Sequence, residues 1–211
     1  MAAPITHIVF SEKLFNKFKL THDKKTFMVG TSFPDIRYLG VINRETTHLK
    51  VSSLEEILKD SNAFTAGLKF HNWLDLIRED YIKTNNIYDM VKSDSKYVTQ
   101  ALKLLEDQIF YRKISDWNEI QNYFNETQPE ELSFGINETD IKKWHQALQN
   151  YYATEPNLKS LSKFANTINL PINADKEIYA LLERWKSDQK LMTLVESMYD
   201  NLTIDGASNT N

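Results

Sequence analysis

The sequence has no cysteine. That absence excludes disulfides, a thiol nucleophile and every thiolate zinc site, so any metal must be held by His, Asp, Glu or backbone groups. Glycine and proline are scarce, five of each in 211 residues, so few positions interrupt regular structure and a glycine-rich β fold is disfavoured. No apolar run is long enough to span a bilayer, and the opening "MAAPITHIVFSEKLF" has no basic segment leading into an uninterrupted apolar core. A cytoplasmic protein is the expectation. Basic charge is not in excess either: 25 Lys and Arg stand against 29 Asp and Glu, a formal net charge of −4. Nucleic acid is therefore disfavoured as a charge-driven partner.

What is present favours helix. Leu, Lys, Glu, Asn and Ile are plentiful, and the length suffices for a substantial core. The expected fold class is all-α, a single multi-helix domain over residues 1–202, followed by a small, polar and flexible tail at 203–211. Apolar spacing predicts helices at about 5–18, 62–82, 95–113, 116–124, 137–152, 156–168 and 174–202. Ser53, followed three residues later by Glu56 ahead of an apolar-periodic run, has the form of a capping box. Between these lies "FMVGTSFPDIRYLG", where Pro34 and two glycines predict a loop after a short helical turn.

The helix "AFTAGLKFHNWLDLI" carries His71 and Asp75 in line with Phe64, Gly67 and Leu68. Positions i and i+4 share a face, with Cβ atoms roughly 5–6 Å apart, so a polar pair interrupts an apolar stripe. His7 falls in the first turn of a helix, Asp35 in the Pro-broken loop and His48 in the loop before the Ser53 cap. Imidazole and carboxylate ligands suit a borderline cation such as Zn²⁺ when no thiolate is present. Each residue also has an ordinary reading: a buried hydrogen-bonded pair for His71 and Asp75, a turn residue for Asp35, a surface residue for His48.

In order along the chain, "THIVFSEKLF", "GTSFPDIRYLG", "RETTH" and "AFTAGLKFHNWLD" resemble the motifs of the zinc-dependent phospholipase C family, over roughly residues 1–82. The resemblance implies an all-α fold and a zinc cluster that hydrolyses phosphoester bonds of a small molecule or a lipid. It further implies that His7, Asp35, His48, His71 and Asp75 are metal ligands, with Asp75 bridging an ion held by Asp35, His48 and His71 to one held by His7. On this view Gly67 leaves the surface before His71 open to the cation. Asp35 is a candidate general base too, although a carboxylate held by zinc is a poor one.

The chain departs from the family at Tyr81, where a histidine is expected, so one or two ions are predicted instead of three. Glu106, bordering an apolar face, is the candidate additional ligand; Asp107 is its rival, and a salt bridge from Glu106 to a lysine such as Lys103 is the alternative. Arg37 either holds a substrate phosphate or makes an ion pair. His22 and Asp23 form an H-D dyad in an exposed loop, read as accidental. His145 is read as packing without acidic company. The alternative to a hydrolase is a non-catalytic, metal-stabilised helical binding or interaction protein.

Overall fold

A computed structural model describes residues 3–202; the expected tail at 203–211 lies outside the described residues. Thirteen α-helices and one 3-10 helix, with no strand, occur among the described residues, in line with the all-α expectation. The first half runs through α1 (Pro4–Phe18), α2 (Lys24–Ser32), the 3-10 helix (Phe33–Leu39), α3 (Arg44–Thr47), α4 (Leu54–Leu58), α5 (Ala63–Thr84) and α6 (Ile87–Met90). The second comprises α7 (Val98–Tyr111), α8 (Trp117–Asn122), α9 (Pro129–Leu132), α10 (Glu138–Tyr152), α11 (Leu158–Thr167), α12 (Ala174–Trp185) and α13 (Gln189–Asn201).

Many helix starts have a local chemical cause. Side chains of Asp23, Asn62, Asn137 and Asp188 accept from first-turn N–H groups of α2, α5, α10 and α13, satisfying donors that have no intrahelical partner. Ser53 caps α4 by accepting from the Glu56 N–H at 3.4 Å, but the Glu56 carboxylate turns back to Ser52 instead of closing a box on Ser53.

Two expectations are corrected. The stretch 27–40 is not a loop: α2 runs through Gly30, Pro34 sits in the first turn of the 3-10 helix, and Gly40 ends that helix at φ 75°. Proline is tolerated in a first turn, where its missing N–H costs nothing, and Gly30 is required by packing, since a Cβ there would lie 2.4 Å from the Phe64 carbonyl oxygen. The stretch 174–202 is two helices, because Asp188 both donates its N–H to the Trp185 carbonyl at 2.9 Å and caps α13. The short helices α3, α6 and α9 lie inside stretches that apolar spacing leaves as loops.

The largest helix–helix interface joins α2 to α5, and it is a backbone contact. A Cβ on Gly67 would come within 2.3 Å of the Phe27 carbonyl oxygen and 2.7 Å of the Thr31 nitrogen. Gly67 thus serves the approach of α2, not an open face before a cation. Helix α7 packs on α1, α12 and α13, and α10 on α11. Buried apolar side chains from Ile5 to Leu202 form one cluster. No helix among the described residues is long and apolar enough to cross a membrane.

Candidate metal centre

His7, Asp35, His48, His71 and Asp75 are brought together by four elements: α1, the 3-10 helix, the C-cap of α3, and α5. All five are buried, between 1% and 7% exposed. Their donor atoms fall into two groups whose members lie within 4.8 Å of one another, His7–His71–Asp75 and Asp35–His48–His71. His71 belongs to both groups. The rings of His7 and His71 stack, and that of His48 meets His71 edge-on with centroids 5.0 Å apart.

Backbone carbonyls fix the tautomer of all three imidazoles. Nδ1 of His7 lies 3.2 Å from the Ala3 oxygen, that of His48 3.1 Å from the Arg44 oxygen, and that of His71 2.8 Å from the Thr31 oxygen. A carbonyl only accepts, so each Nδ1 carries the proton and each Nε2 the lone pair. All three Nε2 atoms, and Oδ1 of Asp35, are buried without a hydrogen bond. Buried polar atoms are seldom left so.

Burial also keeps the rings neutral. It pulls the pKa of His7 down to about 3, aided by His71, that of His48 to about 4, aided by Arg44, and that of His71 to about 4. Asp35 is pushed up, first by burial and then by Asp75. Asp75 lies 3.7 Å through Oδ1 from His7 Nε2 and 3.7 Å through Oδ2 from His71 Nε2, beyond hydrogen-bond range. Neutral imidazoles oriented through Nδ1, with their Nε2 lone pairs gathered beside two carboxylates, match the donor set of zinc-type cations and its outer-shell support. The group could hold a metal ion.

Two cations border it. The Arg37 guanidinium stands 3.6 Å from Asp35 Oδ1, donates to the Tyr38 hydroxyl at 2.6 Å and stacks on the Tyr38 ring. Lys103, on α7, is buried and senses Asp35 and Asp75, while desolvation draws its pKa down to about 8. Sequence spacing had offered Lys103 only as a partner for Glu106.

Glu106 lies outside the cluster. Its two oxygens accept from Arg78 at 2.7 and 2.6 Å in a buried bidentate pair. The salt-bridge alternative is realised, with Arg78 in place of a lysine: the guanidinium fork engages both Glu106 oxygens, and neither belongs to the two donor groups. Asp107 holds the start of α1 instead, accepting from Thr6 N at 2.8 Å, Thr6 Oγ1 at 2.9 Å and the Tyr151 hydroxyl at 3.0 Å. Tyr81 donates to the Leu194 carbonyl at 2.9 Å, tying α5 to α13.

His22 takes no part: Nε2 meets the Asp60 carbonyl at 2.6 Å, and Asp23 is the cap of α2. His145 is buried packing, but not without an acid, because Nε2 lies 2.7 Å from Glu131 Oε1. That partner comes from α9, an element without periodic signal.

No family model matches the chain, and neither a curated protein nor a solved structure shows significant similarity to it.

Proposed function

We propose that the protein is a metal-dependent hydrolase of phosphoester bonds, of the zinc-dependent phospholipase C type, holding one or two zinc ions. His7, Asp35, His48, His71 and Asp75 would be the ligands. The observation that carries this reading is the trio of histidines whose Nδ1 atoms are spent on backbone carbonyls while their buried Nε2 atoms have no hydrogen bond. Sequence motifs in the family's order support it. Zinc bound there supplies Lewis-acid polarisation of a phosphoryl oxygen and acidifies water near neutral pH.

The chain's own residues supply the rest. The three carbonyl bonds hold the rings without a search through rotamers, and burial leaves them uncharged at neutral pH. Arg37 and Lys103 bring positive charge to the edge of the cluster, where phosphoryl oxygens would be held. The Arg37 guanidinium is preoriented by Tyr38.

Burial of all five side chains also favours a second reading, a closed structural metal site in a binding protein. Elemental analysis together with turnover of bis-p-nitrophenyl phosphate separates the two. One or two zinc ions per chain, with turnover that a chelator removes and zinc restores, supports the hydrolase. Bound zinc without turnover supports the structural site, and protein that neither carries nor takes up metal overturns both.

A further inference from the structure

A cavity of about 110 Å³ lies beside the cluster, among the start of α1 and helices α7, α10, α11 and α12. Asp35 belongs to both its wall and the cluster. Most of the remaining wall is apolar, including Leu104, Trp144, Leu161, Phe164 and Ile178, and the one cationic side chain among the described residues of that wall is Lys103. That lysine is 6% exposed and has no hydrogen bond or ion pair to another described residue. It stands where an apolar chamber meets a His/Asp cluster.

We propose that this cavity binds the single apolar substituent of an anionic phosphoester, with Lys103 meeting the phosphoryl oxygens. The inference rests on the hydrolase reading for the phosphoester group, and on the cavity itself for the substituent. Size decides what that substituent can be. An apolar cavity of ~150 Å³ accommodates a benzene molecule, so this one is on the scale of one ring or a short alkyl chain, not of the paired long chains of a membrane lipid. The expected ligand class is an aryl or short-chain alkyl phosphoester. A ring inside would lie against Trp144 and Phe164, and aromatic faces favour such contacts over a plain alkyl wall.

Calorimetric binding of phenylphosphonate and methylphosphonate to the zinc-supplemented protein tests this without turnover, since the P–C bond of neither is a phosphoester. The expected result is at least about tenfold tighter binding of phenylphosphonate, about 1.4 kcal/mol. Leu161→Trp, which fills the chamber, is expected to abolish that preference while leaving methylphosphonate binding and metal content unchanged. Lys103→Met is expected to weaken both ligands by a similar factor. Equal affinities in the parent, or no binding of either, overturn the proposal, and that comparison requires no variant to fold. A dispersed diacyl phosphatidate that competes as well as phenylphosphonate also overturns it. If the ring preference is found in protein that carries no metal and turns over no phosphodiester, the cavity assignment stands and the hydrolase reading alone fails.

Discussion

The imidazoles of His7 and His71 lie face to face, 4.0 Å between centroids and 3° from parallel. Two imidazolium ions would not rest so, and burial keeps both rings neutral, with pKa values of about 3 and 4. The stack joins α1 to α5 at the one point shared by both donor groups. It makes His71, which both groups contain, the residue whose loss should be felt most.

His71→Ala and Asp75→Ala are expected to lower the metal content by at least one ion per chain, measured by elemental analysis after zinc loading. His22→Ala and His145→Ala should leave it unchanged. His145→Ala should nonetheless cost about 1–3 kcal/mol in denaturant unfolding, because Glu131 would keep a buried oxygen with its partner gone. A uniform loss of metal across all four variants would tell against the assignment.

Gly67→Ala discriminates by sign. In a helix interior, alanine is worth about 1 kcal/mol more than glycine, so a glycine without a packing role would yield a more stable protein. Here the added methyl would sit 2.3 Å from the Phe27 oxygen, and the expected outcome is a destabilisation of about 1–3 kcal/mol. Zinc affinity should fall too, because parting α2 from α5 stretches the bond from His71 to Thr31.

Glu106→Gln should leave metal stoichiometry unchanged and lower stability steeply. Arg78 and Glu106 are both almost wholly buried, and breaking such a pair by removing one charge typically costs about 3–5 kcal/mol. A fall in the zinc count with stability intact would return Glu106 to the site.

Asp107 predicts a pH dependence. Burial raises its carboxyl from 3.8 to about 7 against the hydrogen bonds from Thr6, Tyr151 and Ile5 that lower it. The folded state then holds this proton more tightly than the unfolded one, so its contribution to stability is fully present below pH 3.8 and is lost as pH rises towards 7. The full effect is as much as about 4 kcal/mol. Comparing denaturant unfolding of the parent with Asp107→Asn across pH 4 to 7 isolates this contribution, since the histidines titrate alike in both. A difference that does not change with pH would mean that Asp107 is ionised throughout.

Helix content was legible because periodic apolar spacing acts within a few residues; α5 and α10 fall within two residues of expectation. Gly30 and Pro34 misled because glycine and proline have two meanings, breaking a helix or permitting close packing and a first turn, and only the neighbour decides. That neighbour, Phe64, is remote in sequence. Within the cluster, the residue types and their order pointed to the five side chains, but the features that orient them are main-chain carbonyls of Ala3, Thr31 and Arg44, which any residue possesses. Lys103 was invisible as a cavity residue, because its surroundings come from α10, α11 and α12.

Two adjacent acids on α7 grip different helices: Glu106 holds α5 through Arg78, one turn beyond Asp75, and Asp107 holds α1 through Thr6, next to His7. The site is therefore not portable. A fragment ending near residue 82 would retain every donor atom of the cluster and lose the brace that sets their spacing, and grafting the four motifs onto another bundle would require the Glu-Asp dipeptide and its two receptors to travel with them.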